Sequence, residues 1–319
     1  MAHYLVTGGL GFIGSHLVDA LQAEGHGVRV LDNLSTGKAE NVAPSTEIIK
    51  GDVADGAAVA AAMAGMDGCF HLAAVASVAA SVADWVGTHR TNLTGAITVF
   101  DAAKRLRADG RPIPVVYASS AAVYGDNPVL PLGEQAAPRP LTAYGADKLG
   151  CEQHARVALH VHGIPTVGLR FFNVYGPRQD PSSPYSGVIS IFADRLGQGL
   201  PIEIFGDGEQ TRDFVYVGDV VTFLLRAMMR ESAAGAVVNV CTGRATSINE
   251  LARTIAHVLG SEPEIIHRPG RTGDIRASLG DPAQALRLLG HAASTSLADG
   301  LALTMAPTQT RRAGSPRHG

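Results

Sequence analysis

Tyr144 and Lys148 stand four residues apart in a stretch, 143–162, whose pattern predicts a helix. Both side chains then lie on one face. A free phenol ionises near pH 10, so a phenolate that serves as a base near neutrality must be favoured by about 4 kcal/mol. One positive charge at about 5 Å supplies roughly 3 kcal/mol at an effective dielectric of about 20. A lysine one turn away, helped by a second cation, therefore suffices to make such a tyrosine a base. A serine is placed to help. Ser119 and Ser120 lie within the run Tyr117-Ala118-Ser119-Ser120-Ala121-Ala122-Val123-Tyr124-Gly125, which follows a predicted strand. Ser120 can donate to, or accept from, the same oxygen that Tyr144 serves.

The second cation is implied by the N-terminus. Thr7-Gly8-Gly9-Leu10-Gly11-Phe12-Ile13-Gly14 lies between a predicted strand and a predicted helix. It reads as Gly8-x-x-Gly11-x-x-Gly14 or as Gly9-x-Gly11-x-x-Gly14. In either reading one glycine permits the tight turn, one admits a pyrophosphate to the backbone, and one lets helix pack on strand. The helix start, with Phe12 and Ile13, then offers N–H groups and a positive dipole end to phosphate. Asp32 and Asn33 close the next strand, and a carboxylate there accepts from a ribose diol and repels a 2′-phosphate. That selects NAD over NADP. Asp52-Val53, after the third strand, is placed to reach the adenine.

The elements that must position these residues fit the same plan. Short β-branched runs near 4–6, 28–31, 47–50, 69–72, 113–118 and 166–169 alternate with helical stretches, notably 91–106 and 143–162. Such alternation predicts an α/β fold, a Rossmann-type doubly wound parallel sheet that binds ligands beyond the carboxyl ends of its strands. After residue 172 the texture changes to Gly/Pro-rich loops and shorter elements, which predicts a smaller C-terminal α/β substrate domain. The expected division is 1–172 for the NAD-binding domain, with 213–242 returning to it, and 173–212 plus 243–306 for substrate. Residues 307–319 read as a disordered tail.

Composition narrows the classes. Lys+Arg is 26 and Asp+Glu is 29, a net charge of −3, which excludes the basic footprint of a nucleic-acid binder. Hydrophobic residues at 46% exclude disorder as the main state. Three scattered cysteines, Cys69, Cys151 and Cys241, show no metal or disulfide spacing. No histidine pair stands at metal-ligand spacing with a carboxylate. No basic, apolar leader opens the chain, and no apolar window approaches the ~20 residues of a membrane span. The expectation is a cytoplasmic protein with no metal, no membrane and no nucleic-acid partner.

Taken together, the motifs resemble one family. Gly8-x-x-Gly11-x-x-Gly14, Asp32-Asn33, Asp52-Val53, His71-Leu72-Ala73-Ala74, Asn92, Ser119-Ser120 and Tyr144-x-x-x-Lys148 are those of the extended short-chain dehydrogenase/reductases. Arg170-Phe171-Phe172-Asn173-Val174-Tyr175-Gly176-Pro177-Arg178 and Arg212-Asp213-Phe214-Val215 extend the match to about residue 290. Within that family the chain most resembles the UDP-glucose and UDP-N-acetylglucosamine 4-epimerases.

The resemblance implies an isomerase. Tyr144 takes the proton of the sugar 4-hydroxyl, Lys148 holds the phenolate and the nicotinamide ribose, and Ser120 assists. A 4-keto sugar forms, turns over and is reduced on its other face. It further implies that Leu72, Ala73, Ala74, Asn92, Ser119 and Phe172 line the NAD site. Ser77, Asn173, Val188, Phe205, Arg212, Arg271 and Ser278 line the UDP-sugar site. Arg212 and Arg271 hold the diphosphate, and Arg178 is a further candidate for it. The helices at 91–106 and 143–162 form a homodimer's four-helix bundle in relatives.

Two positions bear on the reaction and the sugar. Dehydratases of this family carry Asp-Glu after the serine, because elimination needs a further acid and base. Decarboxylases carry Glu at the second of those positions. Ala121-Ala122 can transfer no proton, which leaves epimerisation. Arg271-Thr272-Gly273-Asp274 matches the family's phosphate motif, and counting on places Ser278 at the position where a large tyrosine restricts relatives to plain hexoses. A small residue leaves room for an N-acetyl group, favouring UDP-GlcNAc/UDP-GalNAc interconversion, alongside UDP-Glc/UDP-Gal. UDP-glucuronate 4-epimerisation, a sugar reductase with exchangeable cofactor and a non-catalytic NAD-binding regulator are the alternatives.

Overall fold

A computed structural model describes residues 1–180, 187–270 and 275–306. Its strands are β1 (His3–Thr7), β2 (Gly27–Asp32), β3 (Glu47–Lys50), β4 (Gly68–His71), β5 (Val115–Ser120), β6 (Thr166–Phe171), β7 (Asn173–Tyr175), β8 (Ile202–Phe205), β9 (Thr211–Arg212), β10 (Phe214–Tyr216), β11 (Val237–Val240), β12 (Thr246–Ser247) and β13 (Ile265–Arg268). Its helices are α1 (Phe12–Ala23), α2 (Gly56–Met63), α3 (Val78–Ala83), α4 (Trp85–His89), α5 (Gly95–Ala102), α6 (Ala143–His162), α7 (Val188–Gly197), α8 (Val217–Met229), α9 (Ile248–Val258), α10 (Ala283–Leu289) and α11 (Leu297–Met305).

Seven strands form one parallel sheet in the order β11-β6-β5-β4-β1-β2-β3. The chain winds outward in both directions from β1, so a crevice opens between β1 and β4, where ligands bind in such sheets. Alternation along each strand builds two cores. Val6, Phe70, Val116 and Leu169 face α1 and α8, where Leu17, Leu21, Val220 and Leu224 are buried. Leu5, Cys69, Val115 and Tyr117 face the other way, onto Val59, Val99 and Ala155 of α2, α5 and α6. Neither face of the sheet is left to solvent, which is why these strands read as nearly continuous apolar runs.

A third core lies beyond the sheet. Ile189 and Phe192 of α7, Ile202 and Ile204 of β8, and Leu251 and Ile255 of α9 pack together there with Tyr175 and Phe214. Small two-stranded pairs connect this region to the sheet: β10 with β7, β12 with β9, and β13 with β8.

Two predicted elements differ in detail. The fifth strand starts at Val115 rather than 113, because Pro114 has no N–H to give the ladder, although its carbonyl accepts from Cys69. The helix expected at 91–106 begins earlier, as α4, and is interrupted by a π-helical turn at Arg90–Thr94 before α5. Among the described residues no helix is long and apolar enough to cross a membrane. The expected tail, 307–319, lies outside the described residues.

Candidate active site

The glycine turn builds a crevice that side chains would fill. Gly8 has φ +69, donates to the Leu31 carbonyl at 2.9 Å and faces the next loop so closely that a Cβ would lie 2.7 Å from the Ala73 nitrogen. A Cβ on Gly14 would lie 2.2 Å from the Gly8 oxygen. Gly11 is the N-cap of α1 and supplies no side chain, so the helix start at Phe12 and Ile13 has no capping group from its own cap residue. Leu72 and Ala73 are drawn against this turn. The Leu72 N–H donates to the Thr7 carbonyl at 3.1 Å, and the Ala73 N–H to Thr7 Oγ1 at 3.2 Å.

Asp32 closes β2 beside the turn. Its oxygens accept from the Leu10 N–H at 3.0 Å and the Leu34 N–H at 2.8 Å, which fixes the carboxylate while leaving further lone pairs. Asn33 is exposed and its Oδ1 accepts from Ser35. Asp52 accepts from the Ala54 N–H, and Val53 is buried against Gly95. A backbone cradle without Cβ atoms, a bare helix N-terminus and a fixed acidic acceptor one strand over fit a dinucleotide with an unphosphorylated ribose.

Tyr144, Lys148 and Ser120 converge at the carboxyl end of β5. Thr142 caps α6 by accepting from the Gly145 N–H at 3.1 Å, which starts the helix just before Tyr144. Lys148, 3% exposed, donates to the Ala118 carbonyl at 2.9 Å, and its Nζ lies 5.9 Å from the centre of the Tyr144 ring. Ser120 is half-buried, and its Oγ accepts from the Ala122 N–H at 3.1 Å. Beneath them His71 Nδ1 is 2.8 Å from Thr7 Oγ1. Burial, with the Lys148 charge nearby, pulls the His71 imidazole down to about 3, so it stays neutral.

The neighbouring Ser119 turns the other way. Its Oγ donates to Glu152 Oε1 at 2.5 Å, and Glu152 takes a two-pronged pair from Arg170 at 2.8 and 2.7 Å. The Arg170 guanidinium lies 4.7 Å over the Tyr124 ring, whose hydroxyl donates to Asn239 Oδ1 at 2.6 Å. Burial pushes the Tyr124 phenol up to about 12. That tyrosine is a structural donor.

A family model described as the NAD dependent epimerase/dehydratase family matches residues 4–241. The chain belongs to that family. UDP-glucose 4-epimerase of Mycolicibacterium smegmatis is 39% identical over 312 residues, 94% of this chain and 96% of the relative. The crystal structure of UDP-glucose 4-epimerase with UDP-glucose from Thermotoga maritima has a TM-score of 0.90 at 37% identity, covering 95% of this chain and 97% of that one. UDP-N-acetylglucosamine 4-epimerase from Methanobrevibacter ruminantium M1, in complex with UDP-N-acetylmuramic acid, gives 0.89 at 38% identity over the same shares.

This member of the NAD dependent epimerase/dehydratase family places its remaining candidate residues unevenly. Asn173 is exposed at the start of β7, two residues beyond Phe171, the β6 partner of Ser120. Ser77 is buried and caps α3, accepting from Ala80. Val188 opens α7 and Phe205 ends β8, both partly exposed. Arg212 reaches the Ile275 carbonyl at 2.7 Å, so it lies beside the segment that leads to Ser278. The Ser278 N–H donates to the Thr211 carbonyl, and its residue is half-buried. Arg271 and the rest of its motif, 271–274, lie outside the described residues.

Four candidates sit differently from their expected roles. The Ser119 side chain enters the interior, as above. Asn92 is 1% exposed and spends its amide on both backbone groups of Val75. Phe172 is buried, its ring against Tyr124, whereas Phe171 at the β6 exit is half-exposed. Arg178, at φ +67, turns onto α1, donating to Ser15 Oγ at 3.1 Å and pairing with Asp19 at 2.6 Å. It clamps the Gly176-Pro177 turn to α1, and its guanidinium is committed there. Among the described residues no three His, Cys, Asp or Glu side chains are grouped to hold a metal ion. The Glu152–Arg170 pair was missed from sequence. The available signal was the four-residue step from Lys148 to Glu152 along one helix face.

Proposed function

We propose that this chain interconverts the C4 epimers of a UDP-hexose, with UDP-GlcNAc/UDP-GalNAc as the favoured pair and UDP-Glc/UDP-Gal as the secondary one. The observation that carries the reading is the convergence of Tyr144, Lys148 and Ser120 at one strand exit that continues into Ala121-Ala122. Gly8, Gly11, Gly14 and Asp32 would hold NAD, with Leu72-Ala73-Ala74 and Phe171 beside it. The chemistry NAD supplies when bound is the reversible acceptance of a hydride from sugar carbon 4.

The chain's own residues do the rest. Tyr144 takes the proton from the 4-hydroxyl and returns it to the same oxygen once the ketone has turned over. Lys148, anchored on the Ala118 carbonyl, supplies the positive charge that holds the phenolate. Ser120 donates to the sugar oxygen as charge moves onto and off it. Two alanines follow, so no side chain there can drive loss of water from the neighbouring carbon. Asn173, Arg212 and Arg271 would grip the sugar and diphosphate, for which forked arginine contacts are suited. Ser278 would leave the volume that an N-acetyl group needs in both orientations of the ketone.

Incubation with UDP-Glc, UDP-GlcNAc and UDP-glucuronate, with no cofactor added, tests the reading. The expected products are the C4 epimers, formed fastest from UDP-GlcNAc. In the Ser278→Tyr variant the N-acetylated substrate should lose at least about tenfold more turnover than UDP-Glc, the scale on which a pocket rejects an oversized group. Equal losses would remove Ser278 from specificity, and epimerisation of the uronate alone would replace the proposed substrate.

A homodimer is part of the same proposal. α5 and α6 present Ile97, Val157 and Val161 on their outer face, exposed by 36, 49 and 68%. A second copy of the chain would cover this apolar stripe. Sedimentation should give a species of twice the 33.1 kDa chain mass, and a monomer at all micromolar concentrations would exclude the pairing.

A further inference from the structure

The helical run after the 72–77 loop contains one irregular turn, and the catalytic helix is tied to it. α4 passes into the π-helical turn Arg90–Thr94 before α5 begins. Such turns insert an extra residue into a helix and concentrate at functional sites. This one carries Asn92, whose Oδ1 accepts from the Val75 N–H at 2.8 Å while Nδ2 donates to the Val75 carbonyl at 3.2 Å. The loop so gripped is the one that runs against the glycine turn through Leu72 and Ala73.

The turn and the α4 residue just before it are each joined to α6. Cys151 Sγ donates to the Asn92 carbonyl at 3.3 Å, and His89 Nδ1 lies 2.8 Å from Asp147 Oδ1. An ionised carboxylate only accepts, so His89 carries its hydrogen on Nδ1. Asp147 falls between Tyr144 and Lys148 in the chain. It is 4% exposed, and its second oxygen is buried with no partner among the described residues. Burying a carboxylate with an unmet acceptor costs free energy, and an apolar side chain would serve helix packing better. The His89 side chain is 48% exposed, so the pair adds little to the core. Its placement is better explained by what it holds.

We propose that His89 and Asp147 are positioning residues. Their bond fixes the first two turns of α6, and with them Tyr144 and Lys148, against the π-helical turn that grips the cofactor loop. The proposal rests on the reading of Tyr144 and Lys148 as the catalytic pair. Neither His89 nor Asp147 need touch substrate. They act by preventing the small misalignments that reduce rate most steeply.

Kinetics of four variants test this. A displacement of about 1 Å costs on the order of 100-fold in rate, so Asp147→Ala should lower kcat by roughly 10- to 100-fold. KM for the UDP-sugar and the NAD content per chain should stay within about twofold, because neither binding surface changes. Asp147→Asn keeps an acceptor for the His89 N–H and should recover kcat to within about threefold of wild type. His89→Ala, with its melting temperature read on the same preparation because it leaves the Asp147 carboxylate unpaired, should reproduce the alanine defect in the fraction that stays folded. The double variant should be no worse than the poorer single one, as expected for two residues acting as one unit. An unaltered kcat in His89→Ala, no rescue by asparagine, a loss in KM instead of kcat, or additive losses would each overturn the proposal. A wild-type chain that turns over no UDP-sugar would instead defeat the catalytic reading itself, which keeps the two failures apart.

Discussion

Tyr144→Phe should retain fold and cofactor and lose turnover by about 10²- to 10⁴-fold, the range contributed by a positioned general base. The substitution removes one oxygen and keeps the ring. Thr142 still caps α6, and Lys148 still donates to the Ala118 carbonyl, since neither bond involves the phenol. What disappears is the group beside Lys148 that we propose takes the proton of the sugar hydroxyl as carbon 4 is oxidised. Ser120 does not replace it. Its Oγ already accepts from the Ala122 N–H, and its hydroxyl is left to donate to the sugar oxygen rather than to take a proton from it. His71 does not replace it either. Burial and the neighbouring lysine pull its imidazole down to about 3, too weak a base to hold a hydroxyl proton, and its Nδ1 lies against Thr7. Epimer formation from a UDP-sugar, measured with melting temperature and NAD content on the same preparation, checks the prediction. Turnover within about threefold of wild type, well short of a general base's share, would remove Tyr144 from the chemistry.

These distinctions were only partly legible in the sequence. The Tyr144–Lys148 pair could be read because a four-residue step on a helix fixes one face whatever the surroundings. The glycine turn could be read because its spacing matches a strand, a turn and a helix start at once. Which of Ser119 and Ser120 faces the site could not be read from type alone. Successive strand residues point to opposite faces, and the choice is made by Glu152, 33 residues further on. Arg178 shows the same limit. A cation after Gly-Pro suits a diphosphate on paper, but a positive φ and the Asp19 carboxylate on α1 turn it away. Asn92 sits in a turn whose extra residue breaks the 3.6-residue period, so helical spacing could not report its direction.

Cofactor retention can be tested at one methyl group, where two physical effects have opposite signs. Gly14 lies inside α1, and on helix propensity alone replacing it with alanine should stabilise by up to about 1 kcal/mol. Packing says otherwise. The new Cβ would sit 2.2 Å from the Gly8 carbonyl oxygen and 2.8 Å from the Gly9 Cα, both of them backbone atoms that no rotamer change can move aside. Relief requires shifting α1 or the turn. Gly8 accepts from the Gly11 N–H, donates to the Leu31 carbonyl and holds φ +69, so any shift opens the cradle itself. Overpacking of this kind typically costs about 1–3 kcal/mol, which outweighs the propensity gain. Gly14→Ala should therefore melt earlier and, once purified, release less than about a tenth of the NAD that wild type releases on denaturation, as expected where each 1.4 kcal/mol is tenfold in affinity. Gly56→Ala is the control, because it opens α2 with nothing within 4 Å of the added Cβ. It should keep its full complement of NAD and its stability. A full complement in Gly14→Ala would mean that the dinucleotide does not rest on this turn, and the assignment of Gly8, Gly11 and Asp32 as its holders would fall with it.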